Sequence, residues 1–141
     1  MNRQIFYLLI ALLPFLGSCK KIVEKINDAQ EQAAVDVVTN GRWKMVAFST
    51  GTTDQLPLFN NYLFQFNTNQ TVDAYQGNTM VMSGTFVYDL NARTITSGFP
   101  TSSEPLSLLN GTFRVTDSGA DFVKAEMTVN GETRRLHMIK P

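Results

Sequence analysis

The chain has 141 residues, with 12 Lys and Arg against 12 Asp and Glu, so it lacks the basic footprint that nucleic acid requires and that partner class is excluded. Hydrophobic residues make up 43% and charged residues 17%, with 10 Phe; such a mixture folds around apolar contacts rather than staying disordered. The single cysteine excludes an intrachain disulfide, so an exported domain must be stable without one.

The N-terminal segment MNRQIFYLLIALLPFLGS carries one positive charge at Arg3, an apolar stretch over 5–16 broken only by Pro14, and then small residues. That is the pattern of a secretory signal peptide over 1–18, too short and too lightly flanked for a spanning helix. Its end, Leu16-Gly17-Ser18-Cys19, resembles a bacterial lipobox, where the cysteine thiol is diacylated before the peptide is cut on its N-terminal side. The resemblance implies that residues 1–18 are removed and that Cys19 becomes the lipid-bearing first residue. Palmitate-type chains there contribute roughly 0.8 kcal/mol per buried methylene, and two or three of them hold a small domain on a membrane. The competing reading of Cys19 is an unmodified thiol buried near a helix start.

Beyond the leader the chain is long enough for one domain with a real core and too short for two. Ile22, Ile26, Ala29, Ala33 and Val37 recur at close to 3.6-residue spacing, with no Pro or Gly before Gly41. This predicts a helix over 22–38, stopped by Asn40-Gly41. Residues 19–40 thus read as a lipid-anchored helical tether, lying against the domain, along the membrane surface, or serving as a spacer.

From residue 41 the pattern changes to short alternating or apolar runs separated by Gly, Asn, Asp and Thr clusters. Eight strands are expected, over 42–49, 61–67, 71–75, 80–88, 94–97, 111–116, 122–129 and 133–139. Turn chemistry at 67–70, 89–92, 117–120 and Asn130-Gly131 joins neighbours as hairpins, giving an antiparallel meander. Such a sheet either closes on itself or forms a sandwich, and closure removes exposed edges. Alternation places Tyr62, Phe64 and Phe66 on one face, then Met82, Phe86 and Tyr88, then Val123, Ala125, Met127 and Val129. An eight-stranded barrel is just wide enough to be filled by such side chains or to hold one small ligand.

Gly41-Arg42-Trp43 at the first strand is similar to the Gly-x-Trp signature of lipocalins. The stretch 40–141 resembles the small lipocalin-like domains of lipoproteins from Bacteroidetes-type bacteria. There the signature is followed by an aromatic-x-Phe strand and turn, matched by Phe64-Gln65-Phe66-Asn67 to Thr71, and by Gly-Thr-aromatic, matched by Gly84-Thr85-Phe86. The resemblance implies an all-β fold: a small eight-stranded antiparallel up-and-down barrel over 41–141, preceded by the helix. It would be closed at the Gly-x-Trp end, with an apolar pocket at the other. Separately, no cofactor is expected.

In lipocalins a basic residue near the end of the last strand covers the tryptophan. Arg134 and Arg135 depart from that pattern, lying at the strand's start. Leu136, Met138 and Lys140 share a face by alternation, however, which points to Lys140 over the Trp43 ring. That barrel-closing pair would be structural, a cation–π contact of about 0.5–2 kcal/mol. Asn40-Gly41-Arg42-Trp43 and Asn110-Gly111-Thr112-Phe113 share the pattern Asn-Gly-x-aromatic, by duplication or by coincidence.

No catalytic residue is expected. Nucleophilic catalysis needs a base held against Ser, Thr or Cys, yet the one histidine, His137, alternates outward with Arg135 and Ile139. Metal sites need three or four clustered ligands, and the acids here are scattered; no metal is expected. The segments 98–110 and 50–60 interrupt the meander with Pro and Leu residues that must be buried somewhere, either as a lid or as a plug across a barrel end.

Two functions therefore stay open. The first is a membrane-anchored module that holds a small hydrophobic or amphipathic ligand among Met45, Phe64, Phe66, Met82, Phe86 and Met127. The second is a structural or interaction lipoprotein with a filled barrel, whose surface meets an envelope protein partner. Either way the expected location is the cell envelope, lipid-anchored at a membrane, the outer membrane first, with the domain in the periplasm or on the cell surface.

Overall fold

The computed structural model describes the backbone from Ser18 to Pro141 and side chains from Asp28 onward. The leader expected over 1–18 lies outside the described residues except for Ser18, and the Cys19 thiol lies outside the described side chains. Helix α1 spans Ser18–Thr39, beginning before the expected 22 because no Gly or Pro interrupts that stretch. It ends where Asn40 N–H donates back to Asp36 O at 3.1 Å and Gly41 turns the chain at φ 86°, a conformation that glycine adopts without strain. The compact unit that holds the sheet is Val35–Pro141, so the last turn of α1 belongs to it.

The strands are β1 (Trp43–Thr50), β2 (Thr53–Asp54), β3 (Tyr62–Phe66), β4 (Thr71–Gln76), β5 (Thr79–Asp89), β6 (Thr94–Gly98), β7 (Gly111–Ser118), β8 (Phe122–Val129) and β9 (Glu132–Ile139). From β3 onward each pairs antiparallel with the next, and β1 closes the ring by pairing with both β3 and β9. Eight strands thus form a closed antiparallel up-and-down barrel after one helix, the architecture read from the sequence. The two-residue β2 is a spur on β1, through Ser49↔Asp54 and Thr50↔Thr53. It is too short to leave an alternation signal.

Closure is uneven. Six registered residues tie β1 to β9, from Lys44↔Ile139 to Thr50↔Arg134, whereas β1 meets β3 only at Trp43↔Phe64 and Lys44↔Leu63. Beyond Lys44 the two strands splay, and residues 51–61 occupy the space between them. A bulge between Met45 and Ala47 shifts the inward set of β1 from strict period two to Trp43, Met45 and Phe48, all at most 2% exposed. Bulges re-aim side chains in this way.

Antiparallel register sorts the connections into two ends. At the base lie the turns 67–70, 90–93 and 119–121, together with Trp43 and the end of α1; at the mouth lie 51–61, 77–78, 99–110 and 130–131. Asn130 (φ 51°) and Gly131 (φ 80°) make the tight β8–β9 hairpin, as expected of that dipeptide.

The core is one large cluster and one small one. The large cluster includes Trp43, Met45, Phe48, Phe59, Phe64, Val72, Ala74, Phe86, Phe99 and Met138 with three leucines of the mouth, and the small one joins Phe113, Ala125 and Met127. Leu136 packs against both. A ring series runs through the large cluster: Phe48–Phe59 at 4.9 Å, Phe59–Phe64 at 6.4 Å and Phe64–Phe99 at 6.3 Å between centroids. Such spacings suit the tilted and edge contacts that aromatic rings prefer.

Candidate functional site

At the base, side chains from β1, from β3 and from the residue just past β9 reach for the last carbonyls of α1. Trp43 Nε1 donates to Val38 O at 2.9 Å, Gln65 Nε2 to Thr39 O at 3.0 Å, and Lys140 Nζ to Val37 O. A helix C-terminus presents carbonyls without intrahelical partners and a partial negative charge, so a lysine there is doubly matched. Lys140 Nζ also lies 5.1 Å from the centroid of the Trp43 ring, within cation–π range. The pair expected from β9 alternation is thus together in space, and the helix end completes it. Sequence reasoning had no route to Gln65, whose side chain leaves an ordinary outward strand position.

The mouth is closed differently. The long connection 99–110 carries the short 3-10 turn Leu106–Leu109, whose Leu106, Leu108 and Leu109 are buried in the large cluster. A second 3-10 turn, Leu56–Phe59, inserts Phe59 at 0% exposure. Both interrupted segments lie at the same end and act as plugs. Asn110 fastens the longer one: its Oδ1 accepts from Phe99 N–H at 2.6 Å and its Nδ2 donates to Phe99 O at 3.0 Å, imitating a strand partner. Phe99 in turn covers Gly84. A Cβ at that position would meet Gly98 O at 2.5 Å and Phe99 Cδ1 at 2.9 Å, which explains the glycine of Gly84-Thr85-Phe86. The two Asn-Gly-x-aromatic stretches share a backbone cause: Gly41 and Gly111 both have positive φ, each ahead of an aromatic that is 2% exposed.

Arg134 is a functional candidate that sequence reasoning missed, although the alternation that places Lys140 puts it on the same inward row of β9. Its Nη1 donates to Leu108 O at 3.1 Å, so a cation stands near each end of β9, Arg134 within it and Lys140 one residue past it, and each holds a carbonyl of a helical turn. The difference is completeness. Arg134 Nε is buried with no hydrogen-bond partner.

Of the six residues expected to line a pocket, Met45, Phe64, Phe66, Met82 and Phe86 pack in or against the large cluster and Met127 in the small one. Met127 lies so close to Gly111 that a Cβ there would fall 2.5 Å from its sulfur. Four of the six, Met45, Phe64, Phe86 and Met127, are at most 9% exposed, and Phe66 and Met82 are partly buried, so these side chains pack against one another as core. The outside of the described residues carries clefts as well. One, of about 680 Å³, runs along β9 between Ala47 and Leu56 on one wall and Lys124, Glu126, Arg135 and His137 on the other; another, of about 670 Å³, adjoins the splayed β1–β3 seam at Lys44, Asn61 and Tyr62. Glu126 is engaged by Arg114 and, at 3.6 Å, by Arg135. His137 and Phe122 meet edge to face with 6.2 Å between ring centroids.

Among the described residues no group of three or more His, Cys, Asp and Glu is placed to hold a metal ion. No described helix is long and apolar enough to cross a membrane, which says nothing of strands.

No protein-family model matches the chain, and no curated protein matches it. Among solved structures, the crystal structure of a DUF4847-family protein from Bacteroides vulgatus is similar, with a TM-score of 0.56 and 11% identity, covering 77% of this chain and 97% of that one. At that identity the likeness speaks to the fold.

Proposed function

We propose that this chain is a lipid-anchored lipoprotein of the cell envelope whose filled barrel is a non-catalytic interaction module, presenting its outer surface to an envelope protein. One observation carries the choice over a ligand carrier: the side chains available to line a pocket are used as core, and both mouth segments insert apolar residues into it. The lipobox-like Leu16-Gly17-Ser18-Cys19 supports the anchor, with Cys19 as the attachment point and the outer membrane as the destination. The tether 19–40 then spaces the barrel from the bilayer.

The test is expression of the full chain in a diderm bacterium fed an alkyne analogue of palmitate. Wild type acquires the label and Cys19→Ala does not. Native mass spectrometry of the detergent-solubilised protein then shows the lipidated chain with no further small-molecule adduct. A stoichiometric adduct that survives in Cys19→Ala returns the ligand-holding reading, and an unlabelled wild type removes the anchor.

A further inference from the structure

We propose that Arg134 is an oxyanion site at the barrel mouth, taking a single carboxylate or phosphate group on its unpartnered Nε edge. Arg134 lies on β9 opposite Thr50 on one side and Met127 on the other. One corner of its guanidinium is spent on Leu108 O, and Nε is closed to solvent without a partner. Among the described residues no carboxylate comes within ion-pair range of it. The hydroxyl of the facing Thr50 is committed to Gln55.

The neighbouring arginines show what is missing. Arg114 and Arg135, both well exposed, share Glu126, whereas Arg134, turned into the wall and half-buried, has no counter-charge. Guanidinium stays charged at any pH a protein meets, and a cation withdrawn from water is costly unless paired. Its Nε and one Nη present two parallel donors whose spacing matches the two oxygens of a carboxylate or phosphate. Leu108 O can satisfy one donor but not that fork. An anion reaching Nε must displace what covers it. The Leu106–Leu109 turn, bonded to the same guanidinium, is the segment expected to give.

The proposal rests neither on the anchor nor on the filled-barrel reading, and they fail separately: the anchor is read from the label on Cys19, the filling from a co-purifying adduct, and the oxyanion site from the Arg134 Nε–H signal. The experiment is nitrogen–proton correlation spectroscopy of arginine Nε–H groups on the full chain in dodecyl maltoside, with the Arg134 signal assigned by its loss in Arg134→Lys. Inorganic phosphate and octanoate are titrated separately, against sodium chloride at matched ionic strength. Expected is a saturable downfield shift of the Arg134 signal with an oxyanion and none with chloride.

Saturation by phosphate at concentrations equal to or below octanoate identifies a free anion. Saturation by octanoate at a concentration at least tenfold lower identifies the headgroup of an amphiphile. Arg134→Lys keeps the charge and loses the fork, so calorimetric affinity falls at least tenfold in that variant. Absence of a saturable shift with both probes overturns the proposal and leaves the Nε to water. Undiminished affinity in Arg134→Lys overturns it too.

Discussion

The base and the mouth of this barrel are closed by unlike means. At the base, polar atoms are matched one to one: three side chains, on β1, on β3 and just beyond β9, find three successive carbonyls of α1. At the mouth, closure is mainly by volume, with Phe59, Phe99 and three leucines pressed into the ring series, and the inward-facing cation there, Arg134, incompletely bonded. Directional bonds fix one geometry, while apolar insertion tolerates rearrangement so long as volume is kept. The base is therefore the end expected to hold its shape, and the mouth the end expected to yield.

Substitutions can break or sharpen that contrast. The largest effect is expected from Trp43→Ala, which removes a 2%-exposed ring, the Val38 bond and the seat of Lys140 at once; a loss of about 3–5 kcal/mol should appear in urea unfolding. Next is Gly84→Val, which forces side-chain atoms against Gly98 O and Phe99. About 1–3 kcal/mol is expected, with hydrogen exchange rising over 99–110 before it rises at the base. An unchanged pattern there would count against the mouth as the weaker end.

Smaller effects separate the two cations at the ends of β9, Arg134 within it and Lys140 just past it. Lys140→Met leaves Val37 O and the Trp43 face without their partner and should cost about 0.5–2 kcal/mol. Arg134→Met gives up the Leu108 bond but also removes an unpaired, half-buried charge. These oppose each other, so the net change should stay below about 1 kcal/mol and below that of Lys140→Met. Equal losses at the two positions, measured by the same unfolding titration, would dissolve the distinction between the ends.

How much of this was legible depends on the length of the signal. Strands of five or more residues announce themselves by alternation, which is why all eight walls were placed and Met82, Phe86, Ala125 and Met127 fell on the correct face. The β1 bulge was hidden because one extra residue leaves the composition unchanged and only shifts the inward position to Phe48. The spur β2 and both 3-10 turns are too short for any period, so the fate of their leucines could be posed but not answered. Alternation carries Lys140 to Trp43. It carries Arg134 inward just as firmly, but an arginine beside another arginine at a strand start has the look of surface. The Leu108 and Val37 carbonyls that the two cations reach belong to other elements, and no local pattern could reveal them.

The last turn of α1 has a mechanical consequence. Val37, Val38 and Thr39 are gripped by Lys140, Trp43 and Gln65, residues that lie on or immediately beyond three different strands. Tension arriving along the chain from its N-terminal side is therefore shared among β1, β3 and β9. Without those grips it would fall on β1 alone and peel that strand from its two-residue contact with β3. The helix end works as a load-spreading washer between a pulled thread and a thin-walled cylinder.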